Sequence, residues 1–407
     1  MTSGVETWST ALAIVACGTA LLTLYLPVLS DFISWLKSLR ADTDPAVAHG
    51  ETERLLFVVP AHDEAAVIAD CVASLVDMDY PESHRRIVVI ADNCVDDTAD
   101  RARAGGADCL EREDPSQPGK PRAIAWALDQ LGGLREWDAC VVIDADTVVQ
   151  PDFARALSAS GPLRSVAAQA YFDVLNPDDT WLTRLGKILA TVRYEILYPL
   201  KSRASLNCPL TGNGMCIGTE LLTDRGWRAF SLTENWELFA QYTAEGTRIR
   251  FVPGARLVSE EARTMTSGAT QRKRWLAGRL TILRQWLPEL LASRSIGFHQ
   301  KLDAIAELSN PGPVLHGLLA VGTTVACLVL IGESLGLAMA IAALAALAPL
   351  LLATASSIRR QEDPKAALLA FVGLPVYAVW RLATAVGTVK TWRSGRWEKT
   401  KRGQQDS

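Results

Sequence analysis

A chain of 407 residues with 49% apolar and 21% charged residues is too apolar for an ordinary soluble enzyme and too charged for a bundle of membrane helices alone. Its 12 Trp, 28 Gly and 19 Pro exclude a disordered, collagen-like or coiled-coil chain. With 41 basic against 45 acidic residues, a net charge of −4 and no basic tract in the middle, nucleic acid is excluded as a partner, since such proteins draw affinity from phosphate neutralisation.

The first element is apolar: Trp8 to Ser30 carries no charge, which is long enough to span a bilayer. A cleaved signal peptide is the alternative. It would need a basic start and a small-residue cleavage site, whereas Met1 to Trp8 holds only Glu6, and Trp35, Lys37 and Arg40 follow. Residues 1–31 are therefore expected to be a retained transmembrane anchor. Lys37 and Arg40 behind it, with Arg359, Arg360 and Lys365 between later apolar stretches, put the central domain on the cytoplasmic side of an inner (plasma) membrane that the chain crosses several times.

Between Arg54 and Trp275 short β-rich runs alternate with helical stretches: Leu55–Val59 then Ala65–Val76, Arg86–Ile90 then Asp97–Ala104, Ala139–Ile143 then Pro151–Ser158. That order predicts an α/β domain with a mainly parallel sheet over residues 52–275. Ligands of such sheets bind beyond the carboxyl ends of the strands. The residues there are acidic each time: Asp63 and Glu64, then Asp92, then Asp144 and Asp146. Carboxylates converging on one cleft repel each other unless a cation or ligand compensates.

Asp144 and Asp146 lie two apart, so on extended backbone they share a face and reach one cation. Hard oxygen donors suit Mg²⁺ or Mn²⁺ bridging a nucleotide diphosphate; the alternative is a helix start with Asp146 capping the turn before Pro151. Asp92 is placed to accept from a base or ribose hydroxyl, or serves a turn with Asp96 to Thr98. Pro118-Gly119-Lys120 opens a helix, so Lys120 meets a diphosphate or is solvated beside a turn. His62 reads as a satisfied loop histidine, because no second His lies at ligand spacing. Thr211-Gly-Asn-Gly214 lets a backbone come close to a ligand or makes a plain tight turn. Thr233 caps a helix whose first turn holds Glu234, Asn235 and Glu237, acids that either suit a helix N-terminus or catalyse. Gln271-Arg-Lys-Arg-Trp275 gathers cations and an indole that lie against lipid headgroups, or neutralise a departing diphosphate and stack on a sugar; the two are compatible.

Residues 276–312 follow as amphipathic interfacial helices, and residues 313–389 as membrane helices with apolar stretches Val314–Ile331, Leu335–Ala353 and Ala366–Trp380. The last is short and holds Pro375, so it is expected to dip into or lie along the membrane. A basic tail, residues 390–407, is expected in the cytoplasm. The eight cysteines (Cys17, Cys71, Cys94, Cys109, Cys140, Cys208, Cys216, Cys327) form no C-x-x-C and no Cys/His pair at zinc spacing, so they read as structural thiols in a reducing compartment.

Taken in order, Val58-Val-Pro-Ala-His-Asp-Glu64, Asp92, Asp144-Ala-Asp146, Thr211-Gly-Asn-Gly214, Thr233-Glu-Asn235 and Gln271-Arg-Lys-Arg-Trp275 resemble the membrane-bound family 2 glycosyltransferases, such as the cellulose, hyaluronan and poly-N-acetylglucosamine synthases. The resemblance implies a GT-A fold that transfers a sugar with inversion, from a nucleotide sugar, commonly a UDP-sugar, to a polysaccharide or lipid-linked acceptor at the cytoplasmic face among membrane lipids. Carried over, Asp63 or Glu64 and Asp92 contact the nucleoside, Lys120 the phosphates, Asp144 the nucleotide sugar and Asp146 the metal. Gln271, Arg274 and Trp275, with Arg272 beside them, hold the diphosphate and acceptor. The family pattern has an Asp as general base where this chain has Asn235, and an amide cannot take that proton. Then Glu234 or Glu237 is the base, or the acceptor is an anion such as a polyprenyl phosphate, or the chain is a catalytically weak sugar-nucleotide binder. A membrane receptor for nucleotide sugars and a structural subunit of an export complex are the readings from other classes.

Overall fold

The computed structural model describes residues 2–40, 52–331 and 333–394. The basic tail from Arg396 onward lies outside them. Eight strands build one sheet: β1 (Leu55–Ala61), β2 (Arg85–Asp92), β3 (Asp108–Arg112), β4 (Ala139–Val142), β5 (Thr147–Val149), β6 (Ala167–Val174), β7 (Met215–Gly218) and β8 (Ile249–Ser259), in spatial order β3-β2-β1-β4-β7-β6-β8-β5. β1 runs parallel to β2 and β4, and β2 to β3, while β7 enters antiparallel to both β4 and β6. The architecture is thus α/β, a mixed but mostly parallel sheet with flanking helices, as expected from the alternation of strands and helices.

The continuous apolar run of β1 follows from burial on both sheet faces. Leu56 and Val58 join a core with Val88, Ile90, Val142, Ile124 and Phe239, while Leu55, Phe57 and Val59 point the other way, onto Val72, Leu75 and Phe153. A strand with two covered faces has little freedom to slip, and its carboxyl end is fixed accordingly.

Among the described residues, four helices are long and apolar enough to cross a membrane: Trp8–Ser38, Pro313–Ile331, Ser334–Arg359 and Pro364–Thr388. The expectation that the last would be too short is corrected. Its apolar stretch continues through Pro364–Leu369, a 3₁₀ turn at Ala370–Gly373 and the helix Leu374–Ser394. Pro375 falls in the first turn of that helix, where a missing N–H breaks no bond. Gly373 is packed so closely on Trp181 that a Cβ would lie 2.6 Å from the indole.

The cytoplasm-facing end of the anchor expected from its charges is tied to the rest of the chain by buried polar groups. Ser30 Oγ donates to Asp303 Oδ1 at 2.7 Å, and His299 Nε2 lies 3.2 Å from the Ser30 carbonyl. Asp303, wholly buried, pairs with Lys201, whose ammonium also lies 3.1 Å from Glu307. Breaking a buried pair from one side leaves an uncompensated charge. Lys201→Met is therefore expected to cost about 3–5 kcal/mol of stability, read as a lowered thermal unfolding midpoint of the detergent-purified protein, with Ser30→Ala costing less.

Candidate active site

β4 ends at Val142, and the chain beyond it alternates strictly: Ile143, Ala145 and Thr147 are buried while Asp144 and Asp146 are half-exposed. The backbone is not extended here as a shared strand face would require: the Thr147 N–H donates to the Asp144 carbonyl at 3.1 Å and closes a turn, which leaves both carboxylates at the carboxyl end of the sheet and acting on Lys120. The Asp144 N–H donates to Asn213 Oδ1 at 3.2 Å, and Asn213 Nδ2 donates to Thr147 Oγ1 at 2.7 Å, so the loop beyond β4 is held from both ends by one amide.

Lys120 stands at the centre of the acids. Its ammonium donates to Asp144 Oδ1 and to the Gly212 carbonyl, each at 2.5 Å, and lies 3.8 Å from Glu234 Oε1. Burial disfavours that ammonium, yet Asp144, Glu234 and Asp146 outweigh it and hold its pKa above the usual lysine value. Glu234 is 8% exposed; burial pushes its carboxyl up, against Lys120, with Asp144 adding to the rise and Arg274 opposing it. Three carboxylates thus meet one ammonium. The excess negative charge and the all-oxygen donor set of Asp144 and Asp146 fit a hard divalent cation.

Lys120 is aimed by the turn before it. Gly119 has φ +113, a conformation glycine adopts without strain, and starts the helix Lys120–Leu131. Asp92 holds that turn: its Oδ2 accepts the Gly119 N–H at 3.3 Å, while Oδ1 accepts Arg112 at 2.6 Å and Asn93 Nδ2 at 2.9 Å. At 5% exposed, Asp92 is committed to the protein. Its carboxylate thereby fixes the turn that places Lys120. Asp63 and Glu64 lie further out, at the end of β1. Asp63 adopts φ +52 and accepts the Val95 N–H at 2.8 Å, while the Glu64 N–H donates to Thr98 Oγ1 at 2.8 Å.

The segment 211–214 closes over Lys120. Gly214 has φ +68, and a Cβ there would lie 2.5 Å from Leu257 and 2.9 Å from Ala170. Gln169, fully buried on β6, fixes the loop: Oε1 accepts the Thr211 N–H at 2.9 Å and Nε2 donates to the Asn213 carbonyl at 2.8 Å.

The three side chains at the start of the helix Glu234–Glu245 are separated by the structure. Glu234 faces Lys120. Asn235 Nδ2 donates to the Leu210 carbonyl at 2.8 Å, and Glu237 accepts the Ser231 N–H at 2.9 Å, tying down the preceding loop. Thr233 stands at the cap position without a capping hydrogen bond; it is wedged against Gly278, where a Cβ would lie 2.3 Å from Thr233 Oγ1.

Gly278 belongs to the helix Met265–Ala292, which carries the basic cluster. At about 100° per residue, Gln271, Arg274, Trp275 and Gly278 share the face turned to Thr233 and Glu234, and Arg272 is rotated away. Arg272 instead pairs with Glu261 at 3.1 Å and stacks near Tyr377 and Trp380 of the last membrane helix, at 5.7 and 5.9 Å. Trp275 is 43% exposed.

Two residues central to this arrangement were missed from sequence. Gln169 and Arg112 act through loops distant in the chain, and an isolated Gln in a strand or an Arg at a strand end carries no local signal. Gln169→Leu strands the Thr211 N–H and the Asn213 carbonyl and is expected to cost about 1–3 kcal/mol, with faster amide hydrogen exchange confined mainly to residues 211–214.

Residues 53–278 match the family model described as "Glycosyltransferase like family 2", more than half of the chain. A probable glycosyltransferase, YdaM, of Bacillus subtilis (strain 168) is 24% identical over 244 residues, 59% of this chain and 58% of the relative. An N-acetylglucosaminyltransferase of Rhizobium leguminosarum bv. viciae is 35% identical over 134 residues, 31% of this chain and 30% of that one. The chain therefore spans less than two thirds of either curated relative. Among solved structures, the mannosyltransferase PcManGT from Pyrobaculum calidifontis, in complex with GDP-Man and Mn²⁺, is similar over 96% of this chain and 100% of its own, at 19% identity and a TM-score of 0.59.

Proposed function

Because the chain belongs to glycosyltransferase family 2, we propose that it is a transferase that moves a sugar, with inversion, from a UDP-sugar to a polysaccharide or lipid-linked acceptor at the cytoplasmic membrane face. The observation that carries this reading is the convergence of Asp144, Asp146 and Glu234 on Lys120. Support for a metal-assisted nucleotide-sugar donor comes from the fold's similarity to an enzyme solved with GDP-Man and Mn²⁺. Asp146 and Asp144 would hold Mg²⁺ or Mn²⁺, which when bound would neutralise charge on the donor diphosphate.

Lys120 loses its pairing with Asp144 as the phosphates arrive and turns toward them, a short movement because it already stands between the acids. Asp63 and Glu64 take the nucleoside end in this reading. Asp144 is left to position the sugar. Glu234, buried and raised in pKa, takes the proton of the acceptor hydroxyl as the new bond forms on the face opposite the leaving diphosphate. Asn235 is excluded from that task by its amide. Gln271, Arg274 and Trp275 face the same end, so Arg274 offsets charge on the departing diphosphate while the indole lines the acceptor path.

A second reading, transfer to an anionic acceptor such as a polyprenyl phosphate, is favoured by buried donors without a protein partner near Glu234: Ser231 Oγ, Thr233 Oγ1 and Arg274 Nε. Such an acceptor needs no base. The structural-subunit reading does not call for this arrangement of acids.

With Glu234 as base, kcat/KM rises with pH through a raised carboxyl pKa, so its acid limb lies above the ordinary glutamate range. Glu234→Gln is expected to lower kcat by about 10²–10⁴-fold and abolish that limb, whereas Glu237→Gln leaves it in place. Turnover and pH limb unchanged in Glu234→Gln, with transfer to polyprenyl phosphate, would establish the anionic acceptor instead.

A further inference from the structure

Sequence spacing pairs no cysteine with a histidine, yet the fold does. His62 and Asp63 follow β1, Cys94 follows β2, and these strands are parallel neighbours, so residues 32 apart meet at their carboxyl ends. One ligand atom from each lies within 4.8 Å of the other two. The His62 ring is oriented by the Asp92 carbonyl, 2.7 Å from Nδ1. A carbonyl can only accept, so Nδ1 carries the hydrogen, and in the neutral ring Nε2 holds the lone pair. Nε2 lies 3.9 Å from Asp63 Oδ2, while the other oxygen of that carboxylate accepts the Val95 N–H at 2.8 Å. Cys94 Sγ accepts the Asp63 N–H at 3.3 Å and, as a thiol, donates to the Ala61 carbonyl at 3.6 Å. His62, Asp63 and Cys94 are each half-buried.

We propose that His62 Nε2, Asp63 Oδ2 and Cys94 Sγ form a site for a thiophilic divalent cation of the Zn²⁺ class, distinct from the oxygen-only site at Asp144 and Asp146, and that its occupancy opposes donor binding. A tetrahedral Zn²⁺ with bonds of about 2.0–2.3 Å sets its donor atoms roughly 3.3–3.6 Å apart, which asks for small side-chain rotations here. The nitrogen, carboxylate and sulfur set selects Zn²⁺ over Mg²⁺ or Mn²⁺, whose ligands are oxygens. Three protein ligands leave the fourth position to water. The carbonyl behind Nδ1 is the partner that such a histidine needs to stay oriented. Burial pushes the Cys94 thiol up, so the ion displaces the thiol proton to solvent and binds more tightly as pH rises. A filled site takes the Asp63 carboxylate from the nucleoside; this second half rests on the function proposed above, the metal binding does not.

The test titrates the full-length, detergent-purified protein, free of nucleotide, with Co²⁺ and then Zn²⁺. The expected result is a sulfur-to-cobalt charge-transfer band that saturates at one ion and is displaced by Zn²⁺. Cys94→Ser removes the band, His62→Ala weakens binding by about 10–100-fold, and Cys109→Ser and Asp146→Ala leave it. With Mg²⁺ present, Zn²⁺ then inhibits UDP release competitively with the donor, and Cys94→Ser resists. Absence of the band, its survival in Cys94→Ser, or indifference to His62→Ala overturns the site; inhibition unchanged in Cys94→Ser overturns its opposition to the donor. If no UDP-sugar is turned over at all, the band still decides the metal site, so failure of the two readings is distinguishable.

Discussion

Lys120 is the cation on which Asp144, Asp146 and Glu234 converge. Without it, Asp144, Asp146 and Glu234 would repel one another across a partly buried cleft, and repulsion of that kind is relieved by protonation or by unfolding of a loop. The rest of the domain can be read as the means of holding this ammonium. Asp92 and Arg112 fix the turn that launches its helix, Gly212 gives it a carbonyl, and Gln169 fixes the loop to which Gly212 belongs. The arrangement is also poised: an ammonium held by several acids can be claimed by a polyanion with little further desolvation, because its side chain is already only 24% exposed.

Much of the sheet was legible because β1, β2 and β4 are continuous apolar runs, which only a strand covered on both faces requires. The acids behind them followed from where parallel sheets bind ligands. The later strands were not legible. β6, β7 and β8 mix Gln169, Cys216, Arg250 and Pro253 into their runs, and β7 joins antiparallel between β4 and β6 through long-range pairing that local pattern does not encode. The basic segment 271–275 reads as the end of a domain, yet it lies inside a 28-residue helix. Gly278, the residue that lets that helix press on Thr233, carries no signal of its own.

The candidate site shows the same division. Residue types and order picked out Lys120, Asp144, Asp146 and Glu234, and the structure brings these together. It was silent about which acid of the helix Glu234–Glu245 faces the cleft, because that depends on rotation of the helix, and about Asp92, whose burial comes from Arg112 twenty residues on. His62 was set aside for want of a second histidine at close spacing. A cysteine on the adjacent strand end could only be found in three dimensions.

The central claim is that the carboxylates around Lys120 form a metal-assisted donor site. It is tested most directly by measuring UDP release by the detergent-purified protein from a panel of UDP-sugars, with Mg²⁺, Mn²⁺ or a chelator, beside Asp146→Ala. The account predicts release from one donor that requires a divalent ion and is lost in Asp146→Ala. Release that persists with chelator, or that survives in Asp146→Ala, would contradict it.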